Sequence, residues 1–221
     1  LEGGTGTDSI TGGDGRDLIS GNTGNDTLIG NKADDTIDGG GGSDSILGGD
    51  DNDSLTGQSG SDTIKGGNGD DYIEGNDLDD WLEGNGGLDT ILGGAGDDTI
   101  DGGGDADLIN GDDGADLLIG AEGNDTIYGN EGPDTLVGQE GDDRLYGGQD
   151  SDQFQFAGMF GNDTVYGFSE GNDVIEMQGY VAGDLTLTSS GGSTIVEIDG
   201  SSETIRIQNV VLTDFSDFIF T

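Results

Sequence analysis

The sequence predicts an all-β fold, a parallel β-roll (a β-solenoid) closed by a β-rich C-terminal cap. Three observations carry that expectation. Glycine, aspartate and an apolar residue recur together with a strict period of nine. Hydrophobic residues make up only 29% of the 221 residues. The chain carries 48 Asp and Glu against 5 Lys and Arg, a formal net charge of −43. So little apolar material at so high a charge does not build an ordinary core, and such chains stay unfolded unless something neutralises them. A short unit that cannot bury its own apolar face can still stack on copies of itself.

The regular part begins at Gly3. Glycine stands at every ninth position from Gly3 to Gly147, in all seventeen units, and five residues after each comes an aspartate. Two residues further lies an apolar residue, from Ile10 and Ile19 through to Leu145 and Phe154, and no insertion breaks the phase over 153 residues. The second position of the unit is Gly, Asn or Asp in 14 of 17 units. The fourth is Gly in 12, the exceptions being Ala33, Asp51, Leu78, Asp105 and Asp150. Gly, Asn and Asp are the residues that tolerate a left-handed backbone. Leu1 and Glu2 fit the end of a preceding unit, so the chain reads as a piece of a longer array.

Units such as Gly93-Gly94-Ala95-Gly96-Asp97-Asp98-Thr99-Ile100-Asp101 resemble the Gly-Gly-x-Gly-x-Asp-x-apolar-x nonapeptide of the repeats-in-toxin family, the hemolysin-type calcium-binding repeat. The resemblance spans residues 3–155. It implies a right-handed roll that binds calcium and belongs to a larger protein. It implies little about that protein's role, because the family attaches the module to toxins, proteases, lipases, epimerases, adhesins and surface-layer proteins.

Each unit divides, on this reading, into a six-residue turn and a three-residue strand centred on the apolar residue, which points inward while its neighbours point out. Two units make one coil of eighteen residues. One side of the roll then carries Asp8, Asp26, Asp44, Asp62, Asp80, Asp98, Asp116, Asp134 and Asp152. The other carries Asp17, Asp35, Asp53, Asp71, Asp89, Asp107, Asp125 and Asp143. Stacked strands lie about 4.8 Å apart, and carboxylates at that spacing repel one another. A calcium ion held by oxygens at about 2.3–2.6 Å spans that gap. All seventeen aspartates are therefore candidate ligands, with backbone carbonyls of the glycine-rich turns completing each shell. Eight gaps on one side and seven on the other give about 15 ions at one per gap. Magnesium suits such sites less, since it sheds water reluctantly. Asp51, Asp105 and Asp150 are candidates for an added ligand, Leu78 marks a weaker unit, and the third and fifth positions look free to vary.

Composition also excludes. A strongly acidic chain is repelled by nucleic acid and anionic membranes. With no Cys and no His, disulfides and Cys/His zinc sites are ruled out. No apolar run reaches 18 residues, so no membrane insertion is expected. Nearly every aspartate has a structural explanation, so no active site is expected. Ice binding would need a regular outward row, but Thr27, Thr63, Thr99 and Thr135 are interrupted by Ser45, Trp81 and Leu117. Tyr128 and Tyr146, eighteen apart, should stack on the outer face. They could hold a sugar ring, but a cross-strand pair stabilising the sheet is the plainer account. Outward Leu117, Ile119 and Val137 are expected to meet the cap.

After Gln155 the phase breaks, and residues 156–221 form the expected cap. Gly161-Asn162-Asp163 and Gly171-Asn172-Asp173 look like degenerate units ten residues apart. Strand-like runs follow at 185–188, 194–199 and 203–208, with Asp199-Gly200-Ser201-Ser202 as a hairpin turn between the last two. The final Asp217-Phe218-Ile219-Phe220-Thr221 resembles the C-terminal end of type I secreted proteins of the same family. The functional expectation is a module that folds on calcium outside the cell. It would support export and stability of a larger secreted protein, through type I secretion machinery and from a Gram-negative bacterium. The alternative is a rigid or ligand-binding segment of a surface adhesin or surface-layer protein.

Overall fold

The computed structural model describes residues 1–221 as two long sheets wound face to face. Successive strands alternate between the sheets. The thirteen-stranded sheet starts with Glu2–Thr5 and Leu18–Thr23 and takes every second strand to Arg144–Gly148. The eleven-stranded sheet starts with Ser9–Asp14 and Thr27–Lys32 and runs likewise to Gln153–Ala157. Pairing within the repeats is parallel with a register of eighteen, as in Leu82 with Ile100 and Ile91 with Ile109. A parallel β-solenoid with eighteen residues per coil is thus what the period of nine specifies.

The division inside the unit differs from the expected one. Strands such as Thr36–Gly41 span six residues, the last three of one unit and the first three of the next, and only three residues connect them. The cause is the second position, whose φ is positive in all seventeen units, from 69° at Gln139 to 132° at Gly49. A left-handed residue turns a corner without breaking the ladder. Asn31, at that corner, and Lys32, past it, still pair with Gly49 and Asp50 one coil on.

The core is one apolar side chain per strand. Ile19, Leu28, Ile37 and their successors to Leu145 and Phe154 are all at most 1% exposed. Ile10, in the first coil, is only partly covered. At the other end the interior broadens to Phe156, Phe160, Val165, Phe168, Ile175 and Met177. Val174 lies half-buried beside the inward Ile175.

Repeat spacing changes after Gln155, but the sheets continue across that point. Asn162–Tyr166 stacks in parallel on Arg144–Gly148, and Val174–Gln178 on Gln153–Ala157. Thr204–Ile207 and Phe218–Phe220 add one further parallel strand to each sheet. Ser193–Ile198 and Leu185–Ser190 then extend the larger sheet in antiparallel fashion, with the chain reversing through residues 199–203 as the turn chemistry indicates. The only helix is a 3-10 turn at Ala182–Asp184.

Outside, Tyr128, Tyr146 and Tyr166 form a continuous stack with ring centroids 4.5 and 4.4 Å apart. The third ring belongs to the stack although it follows twenty residues after the second, because the strand of Tyr166 is in register with that of Tyr146. Leu117 does not meet the C-terminal strands; it remains 37% exposed on the outer face of the smaller sheet.

Candidate metal centre

Each repeat aspartate is the last residue of its three-residue connection, immediately before a strand. The fourth position of the unit opens that connection with a positive φ in every unit, 103–151° for the glycines and 71–77° for Ala33, Asp51, Leu78, Asp105 and Asp150. The aspartate backbone is then fixed on both sides. Its carbonyl accepts from the residue nineteen further on, as Asp44 O does from Thr63 N at 2.9 Å. Its N–H donates to Oδ1 of the aspartate one coil on, as Asp44 N does to Asp62 at 2.7 Å and Asp107 N to Asp125 at 2.8 Å.

The seventeen predicted aspartates thus form two ladders, one per side of the roll. Fifteen of them, from Asp26 to Asp152, are at most 4% exposed. Asp8 and Asp17, in the first coil, are half-buried. Oδ1 is engaged throughout both ladders beyond that coil. Oδ2 is buried without any hydrogen-bond partner in every repeat aspartate except Asp17. An ionised oxygen taken out of water with no donor costs more than the roughly 1–3 kcal/mol of a neutral orphan.

The first glycine of the unit makes room for that oxygen. It is not left-handed. A Cβ at Gly129 would lie 2.2 Å from Asp134 Oδ2 and 2.4 Å from the Gly147 carbonyl one coil on. The same pair of clashes recurs at Gly21, Gly84 and Gly102. The invariance of this position is therefore steric, and it keeps a carboxylate oxygen and a backbone carbonyl close together.

Burial pushes the ladder carboxyls up, while the amide hydrogen bond to each pulls the other way and neighbouring carboxylates add to the rise. Asp107 is pushed up to about 8 and Asp80, Asp98 and Asp143 to about 7. No group of three acidic side chains is arranged to hold a metal by itself. Any shell must draw on backbone carbonyls. A hard cation that accepts oxygen ligands from carbonyls and carboxylates alike suits this donor set, and calcium is such a cation.

Two features escaped the sequence. The fifth position is not free: Asn and Asp there form an outer ladder of opposite direction, with Ser43 N donating to Asn25, Leu88 N to Asp70 and Ala115 N to Asp97 at 2.9–3.1 Å. The clue was the frequency of short acids and amides at that position. Asp163 and Asp173 also join the ladders, accepting from Asp143 N and Asp152 N at 2.9 and 3.1 Å. Of the suggested extra ligands, Asp51 is exposed and accepts instead from Ala33 N at 3.1 Å.

A parallel solenoid with two buried, donor-starved carboxylate ladders defines a cation-binding repeat module. The chain belongs to the RTX calcium-binding nonapeptide repeat family, whose model matches residues 1–28, 11–46, 20–55, 47–82, 74–109, 83–118, 119–154 and 155–176. It is a calcium-binding repeat module, a structural solenoid. Among solved structures it is similar to the extracellular lipase of Serratia marcescens, at 20% identity over 92% of this chain and 44% of that one, with a TM-score of 0.46. It is also similar to a subunit of the mannuronan C5-epimerase of Azotobacter vinelandii, at 27% identity over 66% of this chain and 80% of that one, with a TM-score of 0.27. The chain thus spans less than half the length of the lipase. No curated protein matches it. No helix is long and apolar enough to cross a membrane.

Proposed function

We propose that the seventeen aspartates Asp8 to Asp152 are calcium ligands and that binding of the metal drives the roll to fold. The observation that carries this reading is the row of buried, unpartnered Oδ2 atoms. Sixteen such oxygens, each costing more than about 1–3 kcal/mol when ionised, outweigh the net stability of an ordinary domain, about 5–15 kcal/mol. At neutral pH the folded ladders need a counter-charge. Calcium supplies it at about one ion per gap between stacked turns, or about 15 in all, and binding free energy becomes folding free energy.

In a compartment poor in free calcium the chain stays extended and acidic, a state suited to passage through type I secretion machinery. Outside the cell, at millimolar calcium, it folds and stabilises the protein attached to it. Residues 156–221 close the roll and carry the export region. The test is far-ultraviolet circular dichroism in chelator and in calcium. The reading requires disorder in the first and a cooperative gain of β-structure in the second; a strand signal unchanged by full removal of metal sinks it.

A further inference from the structure

Past Phe154 the nine-residue spacing is lost, and the two sides of the roll end differently. On the side of the larger sheet Asp163 follows Asp143 by twenty residues. It is 1% exposed, its Oδ1 accepts from Asp143 N, and its Oδ2 is buried with no partner. That is the arrangement of every buried repeat aspartate, on an out-of-phase residue. On the other side Asp173 follows Asp152 by twenty-one residues. It is 3% exposed and its Oδ1 accepts from Asp152 N. Its Oδ2, however, accepts from Ser169 N at 2.7 Å. The same segment curls back on itself, since the Ser169 carbonyl accepts from the amides of Asn172 and Asp173 at 3.0 and 2.9 Å.

We infer that the calcium array runs one position beyond the regular repeats, to Asp163, and stops at Asp173, where a backbone N–H stands in the place of the ion. Two buried carboxylates of one coil thus meet the same need in two ways. Asp163 lacks a donor for its second oxygen and takes a cation shared with Asp143. Asp173 has its donor within its own loop, four residues away, and its coil closes without metal. The terminal coil is therefore half metal-dependent and half self-sufficient, so the array has a fixed end against which the first ion can bind.

This inference rests on the calcium reading of the ladders, and the test separates the two. Bound calcium per folded chain is measured by native mass spectrometry of the full chain at saturating calcium, for wild type, Asp80→Asn, Asp163→Asn and Asp173→Asn. Asparagine keeps an oxygen for the amide of the preceding coil and removes the charge. Asp80→Asn must lose calcium; if it does not, the reading of the whole ladder fails. Given that loss, Asp163→Asn is expected to bind one ion fewer than wild type, and Asp173→Asn the same number. An unchanged count in Asp163→Asn, or a lost ion in Asp173→Asn, overturns the inference. Should Asp163→Asn not fold, Asp163→Glu keeps the charge but lengthens the arm. It is expected to fold with a calcium midpoint raised several-fold, and an unaltered midpoint counts against the site.

Discussion

A glycine in this chain answers one of two different demands. Gly129 is needed because its own aspartate occupies the space where a Cβ would stand, 2.2 Å from Asp134 Oδ2. Gly129→Ala should displace that carboxylate and cost about 1–3 kcal/mol as overpacking does, read as a raised calcium midpoint in a circular dichroism titration. The fourth position needs glycine for its φ. Leu78 sits there at φ 75° with its side chain 59% exposed. Leu78→Gly removes a left-handed penalty of roughly 1–2 kcal/mol and loses little burial, so the same titration should show a lowered midpoint. The period made both positions visible. The reason for the first was not legible, because it depends on a carbonyl eighteen residues away, which sequence spacing does not orient.

Protonation belongs to the residue scale too. Burial, with help from the neighbouring charges of Asp89, Asp125 and Asp105, holds Asp107 at about 8 against the pull of the Asp89 amide, and Asp71 and Asp134 reach about 7. These folded-state values lie above the ordinary carboxylate value of about 3.9. Their contribution to the metal-free roll is therefore fully present below about pH 4 and is lost as pH rises through 6 to 8. In chelator, β-structure should appear on acidification from pH 8 to 4. In calcium the sign reverses for binding, because the ion must displace the proton. The calcium midpoint should be higher at pH 6 than at pH 8. A midpoint that does not respond to pH would mean that the buried oxygens are not the ligands.

At the scale of the element, the strand is a six-residue unit with a corner inside it, and its outer face is held by contacts one coil long. The three ion pairs, Arg16 with Asp34, Lys32 with Asp14 and Lys65 with Glu83, all join residues eighteen apart; the first two are exposed and add little, and the third is half-buried. The tyrosine stack adds more. Tyr146 lies between two rings, so Tyr146→Ala breaks both contacts, each worth about 0.5–1.5 kcal/mol beyond burial. Thermal unfolding in saturating calcium should show a clear fall in Tm for that variant. Tyr72→Ala, on an outer position without a ring partner, should show a smaller one. The pair Tyr128 and Tyr146 could be read from their spacing. Tyr166 could not, since two residues inserted in the preceding loop hide its register.

For the whole molecule, most of the fold was legible, because one rule applied seventeen times leaves few alternatives. Alternation of faces, the register of eighteen and the two aspartate ladders all follow from the period. The end of the roll was not legible in the same way. Asp163 and Asp173 stand ten residues apart, yet they stack at separations of twenty and twenty-one from their partners, with loops of different length absorbing the difference. The C-terminal strands cover Leu145 and Phe154, which are fully buried in the intact chain. Residues 1–155 alone should need several-fold more calcium to fold than 1–221, or should aggregate through the uncovered end. Equal calcium midpoints with both chains monomeric would show that the end region does not close the roll.

That irregular end has a consequence for how the chain finds its place. In the regular array a coil is nearly indistinguishable from the next. If Thr27 faced Thr63 and not Ser45, its partner in the native register, the aspartates and apolar residues would still fall opposite their own kind. Neither ladder can tell a neighbour from a neighbour's neighbour. The off-beat spacings to Asp163 and Asp173 break that uniformity, and they number the coils by counting backwards from a single origin. Deprived of that origin, the repeats should slip by whole coils. In residues 1–155 a Thr27→Cys, Thr63→Cys pair should then oxidise to a disulfide at a rate approaching that of Thr27→Cys, Ser45→Cys. In the full chain only the native-neighbour pair should close, and strict neighbour selection in both would place the source of alignment within the repeats.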